Sequence, residues 1–259
     1  MGRINQSYCL PLYLKGGIGL DDLVRRTREM GFAAVEIWQR EKAPFEELVE
    51  VAGRHGLRIA SMVGHIGLTV GLNSRAEHSR IQDELHESID LAAEHNIPGL
   101  ICFSGNREGR DDEESIEVCA EGLRPVAPHA EEKGINLNIE LLNSEVNHPD
   151  YQCDHTAWGV RVCQAVGSPR AKLLYDIYHM QIMEGDLIRT VTENIQYIGH
   201  FHTAGNPRRG PLDETQEIYY PAVMRAIADA GYDLYVGHEF GYQGDPLEAL
   251  AAAYDVCNV

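Results

Sequence analysis

Four short apolar runs in the second half of the chain each end on a side chain that can bind a metal ion. Residues 137–140 read Leu-Asn-Ile-Glu, 172–176 Lys-Leu-Leu-Tyr-Asp, 197–202 Tyr-Ile-Gly-His-Phe-His and 234–239 Leu-Tyr-Val-Gly-His-Glu. Apolar runs this short, bounded by turn residues, have the pattern of buried strands. Their recurrence at about thirty residues leaves room for one helix between successive strands, the rhythm of a βα unit. In a barrel of such units the strand C-termini share one mouth. Glu140, Asp176, His202 and Glu239 would then face a common site.

Four similar units come first. Strands are expected over residues 4–9, 32–38, 57–63 and 100–103, and helices over 19–30, 44–55, 76–95 and 111–133. Leu20, Leu23, Val24 and Thr27 line one face of the first helix, which stops at Gly31. Pro125 and Pro128 should kink or interrupt the fourth helix. Lys15-Gly16-Gly17 reads as a turn. In the second half, helices are expected over 155–166, 186–194, 221–230 and 246–256. Eight strand-then-helix units in 259 residues match one (β/α)8 TIM-barrel domain spanning residues 1–259. The rival, an open doubly wound sheet, usually carries a Gly-rich phosphate loop after an early strand. No GxGxxG or GxxxxGK occurs here.

A formal net charge of −18 argues against a nucleic-acid partner, which needs clustered Lys and Arg to displace counterions. No apolar run approaches the roughly 20 residues of a membrane helix, so no membrane is expected as a partner. The N-terminus lacks the basic-then-apolar layout of a secretory signal, and the expected compartment is cytoplasmic. Six scattered cysteines without a C-x-x-C pair read as buried reduced thiols. A homo-oligomer is left open.

Strand parity sorts the candidate residues. Asn138 and Glu140 share one face and Leu137 and Ile139 the other, so the polar pair suits the lumen. His200 and His202 share a face, as do Gly237 and Glu239. A single Glu at a strand end is more often an edge charge, and a single lumen His more often a hydrogen-bonded core residue. Three carboxylates converging in one mouth, however, would repel one another unless a cation neutralised them. Glu, Asp, His and Glu make a hard, oxygen-rich shell, suited to one divalent metal ion, Mg²⁺ or Mn²⁺, with Co²⁺ as an alternative. Arg209, or its neighbour Arg208, could clamp a substrate carboxylate. His65 and Trp38 follow strands three and two and are candidates for lining the pocket.

The stretches Asp176-Ile177-Tyr178-His179-Met180, Gly199-His200-Phe201-His202 and Gly237-His238-Glu239-Phe240 resemble the xylose isomerase-like TIM barrels. Together with Asn206-Pro207-Arg208-Arg209 and Glu217-Ile218-Tyr219-Tyr220-Pro221, they resemble the hydroxypyruvate isomerase group within them. The resemblance spans most of the chain and is densest between residues 140 and 240. It implies a metal held by Glu140, Asp176, His202 and Glu239. It also implies proton transfer by Glu140 and Glu239, and a substrate-oxygen contact from His179 in the exit loop of strand six. One position departs from the group: many of its members carry Gln where His202 stands, and His there is familiar from ketose 3-epimerases.

The expected activity is therefore a metal-dependent isomerase of the aldose–ketose type. It would interconvert hydroxypyruvate and tartronate semialdehyde, or a close small oxo acid or sugar, by enediolate proton transfer. A ketose or keto-sugar 3-epimerase is the alternative within the same chemistry. A DNA-repair endonuclease of the same fold is the alternative from another class, and the acidic charge weighs against it. A barrel that binds a small molecule around a structural metal is a third.

Overall fold

Alternating apolar runs and amphipathic stretches fold as their periods require, in a computed structural model describing residues 2–14, 17–40 and 44–259. The expected turn at Lys15-Gly16 lies outside the described residues. The strands are β1 (Asn5–Tyr8), β2 (Ala34–Glu36), β3 (Arg58–Val63), β4 (Gly99–Cys102), β5 (Asn136–Glu140), β6 (Ala171–Asp176), β7 (Ile198–Thr203) and β8 (Tyr235–His238). They form one eight-stranded sheet in the order β1-β8-β7-β6-β5-β4-β3-β2. β1 pairs in parallel with β8 from Asn5↔Tyr235 to Tyr8↔His238, and the parallel bridge Cys9↔Glu36 joins its end to that of β2. The first and last strands of the order therefore meet, and the sheet is a (β/α)8 barrel.

The helices are α1 (Leu10–Tyr13), α2 (Leu20–Met30), α3 (Phe45–His55), α4 (His78–Glu94), α5 (Asp112–Leu123), α6 (Ala127–Lys133), α7 (Thr156–Val166), α8 (Ile177–Met183), α9 (Leu187–Asn194), α10 (Tyr220–Asp229) and α11 (Pro246–Cys257). α2 buries Leu23, Val24 and Thr27, and α4 buries Ile81, Leu85, Ile89 and Ala92, as their spacing predicts. The long fourth helix is broken into α5 and α6, with Pro128 in the first turn of α6, where a missing N–H costs nothing.

Two short helices, α1 and α8, were not apparent from periodicity, which needs more than two turns to declare itself. Among the described residues no helix is long and apolar enough to cross a membrane. All six cysteines are free and buried.

The chain divides into two compact units. The first comprises residues 1–62, 186–195 and 201–259, and the second residues 63–185 and 196–200. In the first, β1, β8 and the end of β7 are paired in register, Phe201↔Val236 through Thr203↔His238. α2 packs against both α3 and α11, and Tyr8, Phe32 and Leu23 are fully buried. In the second, β4, β5 and β6 run side by side, Gly99↔Asn136 and Glu140↔Leu174 marking the register, with α5 against α7.

Strand β5 is buried along its whole length. The Asn138 amide fills the space that a Cβ at Gly99 or Gly199 would need, at 2.4 and 2.1 Å. Those glycines let a polar side chain lie flat across the inside of the sheet, which supports the parity assignment for Asn138 and Glu140.

Candidate functional site

In the second unit, Glu140 is the last residue of β5 and Asp176 the last of β6, the adjacent strand. Both are buried, with 7% and 1% of their surface exposed. Asp176 is also the N-cap of α8: its Oδ1 accepts from the His179 backbone N–H at 3.0 Å. The cap fixes the carboxylate's rotation and leaves Oδ2 3.8 Å from His179 Nε2.

His179 therefore sits in the first turn of a helix rather than in an exit loop, because Asp176 starts the helix immediately. Its Nδ1 accepts from the Asn143 backbone N–H at 3.1 Å and faces the Asn143 amide at 2.5 Å, so the ring proton belongs on Nε2, on the Asp176 side. Behind Glu140, the Tyr151 hydroxyl donates to the Glu140 carbonyl at 3.1 Å and accepts from Ser104 N–H at 3.1 Å, tying the strand end to the neighbouring loop.

His65 is in the same unit, 2% exposed. Its Nε2 accepts from the Phe103 backbone N–H at 3.0 Å, and burial pushes its pKa down to about 4. It is a neutral strut between the ends of β3 and β4.

In the first unit, His202 and Glu239 follow one another across β7 and β8. Glu239 lies one residue beyond β8, held by its N–H donating to Thr203 O at 3.0 Å. His202 Nδ1 is 3.4 Å from Glu239 Oε2. On the opposite edge of the ring, Nε2 is 3.0 Å from Glu36 Oε2. Burial alone would depress the His202 pKa. The negative field of the Glu36 and Glu239 carboxylates outweighs burial and holds it well above the ordinary value.

Arg209 donates to Glu239 Oε2 at 2.6 Å. Arg208, its exposed neighbour, shares with it a cavity of about 580 Å³ whose lining includes Asn206, Gln216 and Tyr242. Trp38 is half-buried, two residues past Glu36.

Glu36 is the site residue that sequence reading passed over. It is 1% exposed, and besides facing His202 it accepts a hydrogen bond from Ser7 Oγ and a weak one from Cys9 Sγ at 3.9 Å. A Cβ at Gly237 would fall 2.0 Å from Glu36 Oε1, so β8 needs glycine there for the carboxylate to fit. The signal was available: Glu36 has the parity of Ala34 and opposes Val35 and Ile37, as Glu140 opposes Ile139.

The donors at this site suit a hard cation. With Nε2–H given to Glu36, Nδ1 is the nitrogen left on the Glu239 side, where a cation would displace its proton, an arrangement typical of carboxylate-oriented metal histidines. Cys9, His202 and Glu239 also lie close enough to share an ion, their ligand atoms within 4.8 Å. Burial pushes the Cys9 thiol well up, however, and a protonated thiol is a poor ligand.

Eight parallel strands with acids and a histidine at their C-terminal ends define a class, and comparison with known proteins agrees. The chain matches the model of the Xylose isomerase-like TIM barrel family over residues 24–257, and belongs to that family. A human protein named as a putative hydroxypyruvate isomerase is 28% identical over 247 residues, covering 90% of this chain and 88% of its own. A 2-oxo-tetronate isomerase of Cupriavidus necator is 33% identical over 120 residues, 46% of this chain and 45% of its own. Within the family the chain thus falls in the hydroxypyruvate isomerase group, whose members are isomerases. Among solved structures, an AP endonuclease family 2 protein from Brucella melitensis superposes with a TM-score of 0.86 at 23% identity, covering 99% of this chain and all of the other, which shows the shared fold.

Proposed function

We propose that the protein is a cytoplasmic, divalent-metal-dependent isomerase that interconverts hydroxypyruvate and tartronate semialdehyde, or a close small 2-oxo acid. Glu140, Asp176, His202 and Glu239 would together hold the ion, as the resemblance implies. Three carboxylates and one imidazole favour Mg²⁺ or Mn²⁺, with Co²⁺ as the softer alternative. When bound, the ion supplies a Lewis acid that polarises the substrate carbonyl and acidifies the neighbouring C–H.

The chain's own residues supply the rest. Glu239 removes the proton from the hydroxymethyl carbon or returns it to the former ketone carbon, and Glu140 does the converse. Each such role is worth roughly 10²- to 10⁴-fold. His179, with its ring proton on Nε2, donates to a substrate oxygen.

The observation that carries the substrate class is Arg209 beside Glu239. A guanidinium next to the proton-transfer carboxylate would hold a substrate carboxylate bidentately, a group that a neutral ketose lacks. The names of the relatives, hydroxypyruvate and 2-oxo-tetronate isomerases, support the same class.

The test is product identity in D₂O. Metal-loaded protein given hydroxypyruvate should yield tartronate semialdehyde carrying deuterium at the former ketone carbon. Inversion at carbon 3 of a ketose, with no reaction of hydroxypyruvate, would instead establish the epimerase reading.

A further inference from the structure

We infer that Glu36 is a positioning residue for the metal centre: through His202 Nε2 it selects the imidazole tautomer whose Nδ1 is the ligand. This rests on the proposed role of His202 as a ligand. An imidazole binds a metal through one nitrogen, and the hydrogen bond at the other nitrogen decides which one is left unprotonated. Here that bond is Nε2–H to Glu36 Oε2 at 3.0 Å, between two side chains each 1% exposed.

The acceptor is itself held. Ser7 Oγ donates to the other oxygen, Oε1, and β8 carries Gly237 where any side chain would collide with it. Glu36 thus has one oxygen anchored on β1 and the other aimed at the ring. Neither faces solvent, so water does not compete for the imidazole N–H. The opposite nitrogen, Nδ1, is directed toward Glu239 Oε2 at 3.4 Å. A buried carboxylate is costly to retain in a core. Orienting the histidine and increasing its basicity account for the cost.

The experiment compares Mn²⁺ binding, by calorimetry on metal-stripped protein, in wild type, Glu36→Gln and Glu36→Leu. Gln keeps an acceptor of the same shape without the charge, whereas Leu removes the acceptor. Loss of an outer-shell partner of a ligating histidine typically weakens metal binding about 10- to 100-fold. The expected order is wild type tightest, Gln intermediate, and Leu weaker than wild type by that factor. ¹⁵N spectra of metal-loaded wild type should show His202 protonated at Nε2 and ligated at Nδ1.

Thermal unfolding of the stripped proteins separates a folding defect from a ligation defect, because a merely structural Glu36 lowers the midpoint and leaves affinity per folded molecule unchanged. Equal Mn²⁺ affinity in all three proteins, or His202 ligated through Nε2, overturns the inference. If wild type binds no Mn²⁺ at all, the metal-centre reading itself has failed, a separable result.

Discussion

Arg209 donates to Glu239 Oε2 across 2.6 Å, from a backbone held at φ 50° in the left-handed region. The same carboxylate oxygen lies 3.4 Å from His202 Nδ1, so one proposed ligand is shared between a guanidinium and an imidazole. A cation bound at Glu239, as proposed, would compete with Arg209 for this oxygen, and a guanidinium turned away from Glu239 would be available to a substrate carboxylate.

Replacing Arg209 should therefore separate substrate binding from metal binding. A charge-assisted hydrogen bond is worth about 1.5–3 kcal/mol, discounted here because Arg209 is about a third exposed. Arg209→Met is expected to raise KM for hydroxypyruvate about tenfold or more, with Mn²⁺ affinity equal to or tighter than wild type. An unchanged KM with weakened Mn²⁺ binding would show that Arg209 serves the metal rather than the substrate.

Glu140 and Glu239 are assigned the proton transfers. Glu239→Gln and Glu140→Gln should each lower kcat by on the order of 10²-fold or more while leaving the fold intact. Single-turnover rates with measured metal occupancy decide the matter. Undiminished kcat in a metal-loaded Gln variant removes that residue from the proton path.

The buried histidines set an acid limit on stability. Burial pushes His65 down to about 4 and His238 to about 3, below the roughly 6.5 of an unfolded histidine. Below that value the unfolded chain takes up protons that the folded state refuses. Stability is thus fully present above about pH 6.5 and falls as pH drops toward 4 and then 3. Urea unfolding between pH 7.5 and 4.5 should show this fall, with a shallower slope in His65→Asn. Identical slopes in the two proteins would contradict it.

Asp154 anchors the loop after β5. It is 4% exposed and accepts from Arg107 Nη2 at 2.8 Å and from Ser144 Oγ at 2.6 Å, with His155 Nδ1 at 2.8 Å. Burial raises its pKa, but these partners more than offset that and hold the carboxyl below the usual range. Removing one partner of a buried pair costs about 3–5 kcal/mol, and the partial exposure of Arg107 puts Asp154→Ala near the lower end of that range. A loss below about 0.5 kcal/mol, the usual span for surface substitutions, would mark the cluster as a solvated one.

Much of this was legible in the residues themselves. The eight strands and the long helices follow from apolar period and stop signals, because burial and turn chemistry are local properties of the chain. Glu140 and Asp176 were legible as buried strand endings for the same reason. Glu36 was passed over because it lies in mid-run between apolar neighbours, with no loop after it to mark a mouth. Its meaning depends on Ser7, Gly237 and His202, which are remote in sequence. Helix α8 was missed because Asp176 doubles as strand end and N-cap, leaving no turn residue between strand and helix. The Arg209–Glu239 pair joins residues 30 positions apart and could be seen only in the fold.

The central claim is metal-assisted proton transfer on a small oxo acid, and removal and return of the metal tests it most directly. The protein is stripped with a chelator, then titrated with Mn²⁺ while conversion of hydroxypyruvate and its C–H exchange are followed in D₂O. The account predicts neither exchange nor conversion in the stripped protein, and recovery of both together, complete at one ion per chain. Full conversion by the stripped protein, or loaded protein that binds one ion and exchanges nothing, would contradict it.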